Sequence, residues 1–225
     1  MGKNKLARFA ENKKLPNVIQ PTREEALKGF ELKGKWRTDF FKNEQPIVLE
    51  LGCGKGEYSV GLAKAFPEKN FIGIDIKGAR FWFGAKEAVQ NNMNNVAFLR
   101  TQIELVDHFF AENEVDEIWI TFPDPQIKYK RTKHRLTHPD FFERYKKFLK
   151  PGGIIHLKTD SEFLHGYTLG LLQGMGLEII TAHHDIYGAP EYDPDTLHLR
   201  DIKTYYEELF SAKGKTITYI KFRIN

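Results

Sequence analysis

The chain holds a single cysteine, Cys53, among its 225 residues, so an internal disulfide is excluded and nothing calls for an oxidising compartment. No apolar run approaches the ~20 residues that a membrane-crossing helix requires. No basic stretch followed by an apolar core opens the chain. These absences lead us to expect a soluble, cytoplasmic protein, either monomer or homodimer. Neither charge sign dominates: 34 Lys and Arg stand against 30 Asp and Glu, a net +4, so the placement of charge matters more than its total. Metal-ligand spacing is also lacking. His183-His184 adjoin a strand end and His134 and His138 are four apart beside a proline, with no Cys or acidic set to complete a site. Cys53 has no activating partner nearby and reads as a small filler. Internal repeats, low-complexity segments and a second domain are missing too. Residues 1–32 read as a basic, flexible extension and 33–225 as one domain.

What the sequence does have is alternation. Strand-like runs at 47–51, 70–75, 96–100, 116–122 and 153–159 are separated by helical patterns near 58–65, 78–91, 103–111 and 139–149. A helix near 161–173, a strand at 177–183, a loop over 187–198 containing Tyr187 and Tyr192, a helix near 201–211 and a strand at 216–224 complete the chain. Strands alternating with helices build an α/β fold: a Rossmann-like sheet, mostly parallel, with helices on both faces and an antiparallel last strand.

Within that frame, Ile47-Val-Leu-Glu-Leu-Gly-Cys-Gly-Lys-Gly56 stands out. An apolar run ends in Glu50, and glycines follow at every second position. Gly52 and Gly54 can adopt backbone angles closed to other residues and bring bare main chain against a ligand. Nineteen residues after Gly56, a second strand ends in Asp75, placed to accept both hydroxyls of a ribose. A nicotinamide site would show G-x-G-x-x-G and cradle an anionic pyrophosphate. Glu50 would repel that group and attract the ammonium of S-adenosylmethionine. The E-x-G-x-G form with its downstream acid resembles the first two motifs of the class I methyltransferases.

Further acids end later strands. Asp124 lies in Phe122-Pro-Asp-Pro125, where two prolines stiffen the exit from the sheet. It is either a turn residue or a carboxylate beside the reacting methyl. Asp160 ends Lys158-Thr-Asp160 and could also cap the following helix. Thr204 and Glu207 are spaced as in a capping box. Lys128, Lys130, Arg131, Lys133 and Arg135 fall within eight residues without an acid, as a phosphate-bearing substrate would require. Lys3, Lys5, Arg8, Lys13 and Lys14 form a second cluster, suited to a frayed terminus or to an arm that touches nucleic acid.

Taken in order, Thr121-Phe-Pro-Asp-Pro-Gln-Ile-Lys128 with its basic run, Lys158-Thr-Asp160, Thr204-Tyr-Tyr-Glu207, Lys33-Gly-Lys-Trp36 and Phe210-Ser-Ala-Lys-Gly214 resemble the signatures of the bacterial tRNA (guanine-N7-)-methyltransferases, from about residue 33 onward. The resemblance implies methyl transfer from S-adenosylmethionine to N7 of a guanine at position 46, in the variable loop of tRNA. It places Glu50, Gly52, Gly54, Asp75, Gln102 and Asp124 at the cofactor. Lys128, Asp160, Thr204, Tyr205, Tyr206 and Glu207 fall on the substrate side, with Asp124 and Asp160 nearest the chemistry. Two positions depart from the family pattern. Gln102 replaces an aspartate, and its carbonyl can still accept from the adenine amine. Gln126-Ile127 replaces Trp-Pro and removes an aromatic surface for the base.

The chemistry matches this inventory. Guanine N7 carries a lone pair and no proton, so its methylation calls for positioning rather than a general base. An N6-adenine methyltransferase would show an acid or amide followed by two prolines and an aromatic ring, where this chain has Pro125-Gln126 after Asp124. A catalytically silent RNA-binding subunit would have no use for the full acidic and glycine set.

Overall fold

The computed structural model describes residues 2–188 and 194–224; Tyr192 lies outside the described residues. Eight strands form one sheet: β1 (Val18–Ile19), β2 (Ile47–Leu51), β3 (Asn70–Ile74), β4 (Val96–Leu99), β5 (Val115–Thr121), β6 (Leu149–Thr159), β7 (Ile179–His183) and β8 (Thr218–Phe222). Their order is β1-β4-β3-β2-β5-β6-β8-β7. Pairing is parallel throughout except around β8, which runs antiparallel to both β6 and β7. From β2 the chain builds outward through β3 and β4, then returns to β2's other side with β5. That reversal opens a crevice beyond the carboxyl ends of β2 and β5.

Strand alternation assigns the two faces. Leu49, Leu51, Ile72, Ile74, Ile118, Ile120, Ile155 and Leu157 point to one core, shared with α5 (Pro139–Tyr145) and α6 (Glu162–Gly174). Val48, Phe71 and Trp119 point to the other core, with α3 (Glu57–Ala65) and α4 (Gly78–Gln90). Glu50 is two residues from Val48 and so lies on the α3 side. Gly73 makes room there, because a Cβ at that position would come within 2.7 Å of Ser59 Oγ.

Sequence expectations and structure differ in three local stretches. Residues 103–108 form a 3-10 helix rather than an α-helix. The helix expected over 139–149 stops at Tyr145, because Leu149 already pairs with Val115 in the sheet. The loop expected over 187–198 gives way to a helix from Pro194, α7 (Pro194–Asp201), and the helix expected near 201–211 starts only at Tyr205, as α8 (Tyr205–Ser211), since Thr204 takes an extended backbone and caps it with its hydroxyl.

Of the N-terminal basic residues, Lys3, Lys5 and Arg8 belong to a helix, α1 (Gly2–Asn12), laid against α4, and Lys13 and Lys14 follow in a turn; a second helix, α2 (Arg23–Lys28), comes after β1. Glu11 accepts from Trp82 Nε1 at 2.9 Å and Lys86 Nζ at 3.0 Å, Arg8 stacks 4.4 Å over the Phe83 ring, and buried Asn12 donates to Gly78 O at 2.8 Å. Among the described residues no helix is long and apolar enough to cross a membrane, and no cluster of three His, Cys, Asp or Glu could hold a metal.

Candidate active site

After β2 the chain turns through Gly52, Gly54 and Gly56, all with positive φ, at +81°, +57° and +79°. The three have different reasons to be glycine. A Cβ on Gly56 would lie 2.5 Å from the Phe98 ring, so packing excludes it. Next to Gly52 and Gly54 the nearest atoms stand 3.9 and 4.0 Å away, so these two present open main chain to the crevice. The turn is tied to β3 by Gly52 N–H and Cys53 N–H, both donating to Ile74 O at 2.8 and 3.0 Å. Asp75 receives Gly54 N–H at 3.1 Å and Lys77 N–H at 2.7 Å. The acid predicted to meet a ribose therefore also holds the glycine turn.

Glu50 is 3% exposed. Thr121 Oγ1 donates to one carboxylate oxygen at 2.6 Å and Ser59 Oγ to the other. Burial raises its pKa to about 7, opposed by the two hydroxyls and reinforced by the charge of Asp75. Buried Cys53 has its thiol pushed well upward, by desolvation and then by Glu50 and Asp75, which removes any thiolate nucleophile.

These groups open into a cleft of about 840 Å³ that is also lined by Gln102, Asp124, Asp160, Thr204 and Tyr206. Gln102 is exposed at the start of the 3-10 helix, with its carbonyl 3.4 Å from Arg23 Nη1. Asp124 accepts from Gln126 N–H at 3.1 Å, and the residues two before and two after it, Phe122 and Gln126, carry φ of +46° and +47°. Left-handed backbone at two non-glycine residues is costly and gathers at functional sites. The tie holding the first is Phe122 N–H to Lys158 O, 2.8 Å. The helix after Asp160 is capped by Ser161 Oγ, which accepts from Leu164 N–H at 3.2 Å, so Asp160 is not its cap. Asp160 pairs instead with Lys215 at 2.8 Å.

Three expected substrate-side residues stand apart from the cleft lining. Glu207 is fully buried, 2.8 Å from Lys158 Nζ, and its other oxygen accepts from Tyr187 OH at 2.8 Å. Lys158 Nζ also donates to Leu199 O at 2.5 Å and Ile202 O at 3.2 Å, and burial pulls its pKa down to about 8 against the pull of Glu207. Tyr205 lies under Lys55 Nζ, 4.1 Å from the ring centroid. Lys128 is exposed at the start of a short 3-10 helix, Tyr129–His134, just outside the cleft.

The basic run likewise divides. Lys128, Lys130, Arg131 and Lys133 are exposed, whereas Arg135 is 5% exposed, stacked over Tyr167 at 4.3 Å and Phe163 at 4.8 Å and donating to Gln126 O at 3.1 Å. It braces the Asp124 loop. Residues not assigned to the site from sequence also line the cleft: Lys55, Arg80, Arg131, Phe210 and Lys215. Lys55 lies within the glycine motif, Arg131 in the basic run and Phe210 in the Phe210–Gly214 signature, whereas Arg80 and Lys215 stood in no recognised pattern.

Comparison with known proteins places this geometry. A family described as "Putative methyltransferase" matches residues 44–220. A protein of Christiangramia forsetii named tRNA (guanine-N(7)-)-methyltransferase is 67% identical, over 99% of this chain and 98% of its own length. Proteins of the same name from Bacteroides fragilis, 54% identical over 99% of this chain and 86% of theirs, and Lactococcus lactis, 34% over 83% of each, agree. Among solved structures, an antibiotic-related methyltransferase superposes with a TM-score of 0.61 at 16% identity, covering 88% of this chain and 96% of its own. The 16S rRNA methyltransferase KamB gives 0.59 at 11% identity, covering 80% and 88%. The fold is that of the class I methyltransferases, and the chain belongs to the tRNA (guanine-N(7)-)-methyltransferase family.

Proposed function

We propose that this protein methylates N7 of a guanine, position 46 in the variable loop of tRNA, with S-adenosylmethionine as donor. The observation that carries the reading beyond the family name is one cleft joining the open glycine turn, Glu50 and Asp75 to Asp124 and Asp160. The donor fits this lining: Gly52 and Gly54 leave main chain open, Asp75 suits two hydroxyls, and Glu50 offers a carboxylate to an ammonium. Gln102 would face the adenine amine with the carbonyl it holds near Arg23.

When bound, the cofactor supplies a methyl on sulfonium sulfur, which N7 takes with its lone pair as the carbon–sulfur bond breaks. This chain's residues then have three tasks. Asp124, on its strained loop, fixes the edge of the cleft next to the methyl. Asp160 faces the guanine, accepts from its N1–H and amine, and offsets the positive charge that develops on the purine. Thr204 and Tyr206 wall the substrate side, held in place by the buried Lys158–Glu207 pair behind them. Lys128 and its exposed basic neighbours meet phosphates of an RNA whose target base has left its stack.

Incubation with labelled cofactor and unmodified tRNA, followed by nucleoside analysis, tests the reading. 7-Methylguanosine is the expected product; 1-methylguanosine or 6-methyladenosine would contradict it.

A further inference from the structure

We propose that Lys215 and Asp160 together form a two-residue reader of the guanine base, with Lys215 selecting the purine through its O6. This rests on the function proposed above and adds a residue that none of the recognised motifs includes. The fold brings the pair together. Asp160 follows β6, and Lys215 precedes β8, the antiparallel neighbour whose Thr218 is registered opposite Thr159. Both side chains therefore reach the same end of the sheet, and both line the cleft that holds Asp124.

The contact is a 2.8 Å ion pair, with the Asp160 side chain 15% exposed and that of Lys215 50% exposed. For stability such a partly exposed pair counts for little. Its position gives it a different use. It sets a hydrogen-bond donor directly beside an acceptor on the wall where a base would enter. The Lys215 ammonium is held 4.7 Å over the Phe210 ring, and Phe210 in turn lies near-parallel to Tyr206, 6.2 Å between centroids. The donor is thus backed by aromatic surface that the cleft also exposes.

Guanine presents the complement of that pair: O6 accepts, and the adjacent N1–H and exocyclic amine donate. Lys215 donating to O6 while Asp160 accepts from N1–H and the amine satisfies all three groups. A carboxylate oxygen can keep its bond to Lys215 while accepting a further one. Adenine carries the opposite order, an amino group in place of O6 and a bare N1 in place of N1–H. It would turn donor on donor and lone pair on lone pair. Sites that leave buried polar groups unpaired discriminate strongly. O6 also neighbours N7 on the purine, so a base held at O6 has the direction of its N7 lone pair fixed.

The test uses the whole protein and tRNAs assembled by ligation with guanine, inosine or 2,6-diaminopurine at the target position. Inosine lacks only the amine; 2,6-diaminopurine keeps that amine but replaces O6 with an amino group and N1–H with a lone pair. Label transfer is measured as kcat/KM for wild type, K215M, K215R and D160N, with cofactor affinity recorded for each. In K215M, guanine and inosine should fall together by roughly 10- to 100-fold, as for a lost charged hydrogen bond. Their ratio should hold, while the preference for guanine over 2,6-diaminopurine shrinks by at least about tenfold. K215R should restore that preference, cofactor affinity should not move, and D160N should collapse the guanine-to-inosine ratio. A preference over 2,6-diaminopurine that K215M leaves unchanged, in an active wild type, overturns the reader alone. Wild-type protein that forms no 7-methylguanosine overturns the parent function and the reader with it.

Discussion

Replacing Lys158 with methionine should destabilise the protein by about 3–5 kcal/mol, the usual cost of removing one partner from a buried ion pair. The structure supplies the reason for a value in that range. Both side chains are fully buried, and Lys158 Nζ spends its protons on Glu207, Leu199 O and Ile202 O. Methionine fills the volume but leaves the Glu207 carboxylate without its cation and the Leu199 and Ile202 carbonyls without that donor. For a domain of this size each kcal/mol moves Tm by ~2–4 °C, so a fall of roughly 6–20 °C is expected. Urea unfolding followed by circular dichroism at 25 °C gives the free energy directly, provided the slope is unchanged. The pairwise origin is checked by adding Glu207→Leu. Removing the second charge should recover about 2 kcal/mol or more, because the penalty lies in the stranded carboxylate rather than in lost attraction. A single variant that loses under about 1 kcal/mol, or a double variant whose losses add, would refute the reasoning.

Other consequences are open to measurement. Cofactor binding should ionise Glu50, whose pKa in the free protein is about 7; calorimetry at pH 6 in buffers of differing ionisation heat should then show release of about one proton, and none at pH 9. The same raised pKa means that the stability Glu50 contributes is complete below its ordinary value of 4.5 and is lost as pH rises through 7, so the cofactor-free protein should unfold more easily at pH 8 than at pH 6 as far as this group is concerned. Asp75→Ala should weaken cofactor binding by about 1.5–3 kcal/mol, with unchanged affinity removing it from the site. Neutralising Lys130, Arg131 and Lys133 together should flatten the slope of log tRNA affinity against log salt by about 0.7–0.9 per lost contact, whereas Arg135→Met should lower thermal stability instead. An unmoved salt slope would place the RNA on another surface.

The sheet was readable because its punctuation is strong. Glycines or prolines break the chain at the ends of β2 and β5 and near the start of β6, and apolar runs of strand length lie between them. The glycine turn was readable for the same reason: positive φ at three alternate positions demands a residue type that composition makes visible. Less could be seen where tertiary contacts overrode local preference. Residues 103–108 have helical composition but form a tighter 3-10 turn. Phe122 and Gln126 carry left-handed backbone that nothing in their side chains announces. Arg135 shares its charge with its neighbours in the run, yet alone among them it is buried, between Tyr167 and Phe163. Lys215 is distant from Asp160 in sequence, and only the antiparallel pairing of β6 with β8 brings the two together.

The four residues Thr204 to Glu207 show how consecutive residues of one motif come to point in different directions. Read as a unit, they assign four consecutive side chains to one substrate. A helix turns about 100° per residue, so consecutive side chains diverge and only those three or four apart share a face. In α8 that geometry sorts them. Thr204, before the first turn, caps the helix by accepting from Glu207 N–H at 3.1 Å and still borders the cleft. The Tyr205 ring lies under Lys55, and its backbone N–H donates to the Glu57 carboxylate at 3.0 Å. Tyr206 faces the cleft with Phe210, its partner one turn on. Glu207 is carried round to the sheet, where Lys158 meets it. The helical period alone predicts that the four cannot act together. What it cannot supply is the phase, and here the buried Lys158 of β6 sets it: with Glu207 anchored inward, Tyr206 has to face the cleft.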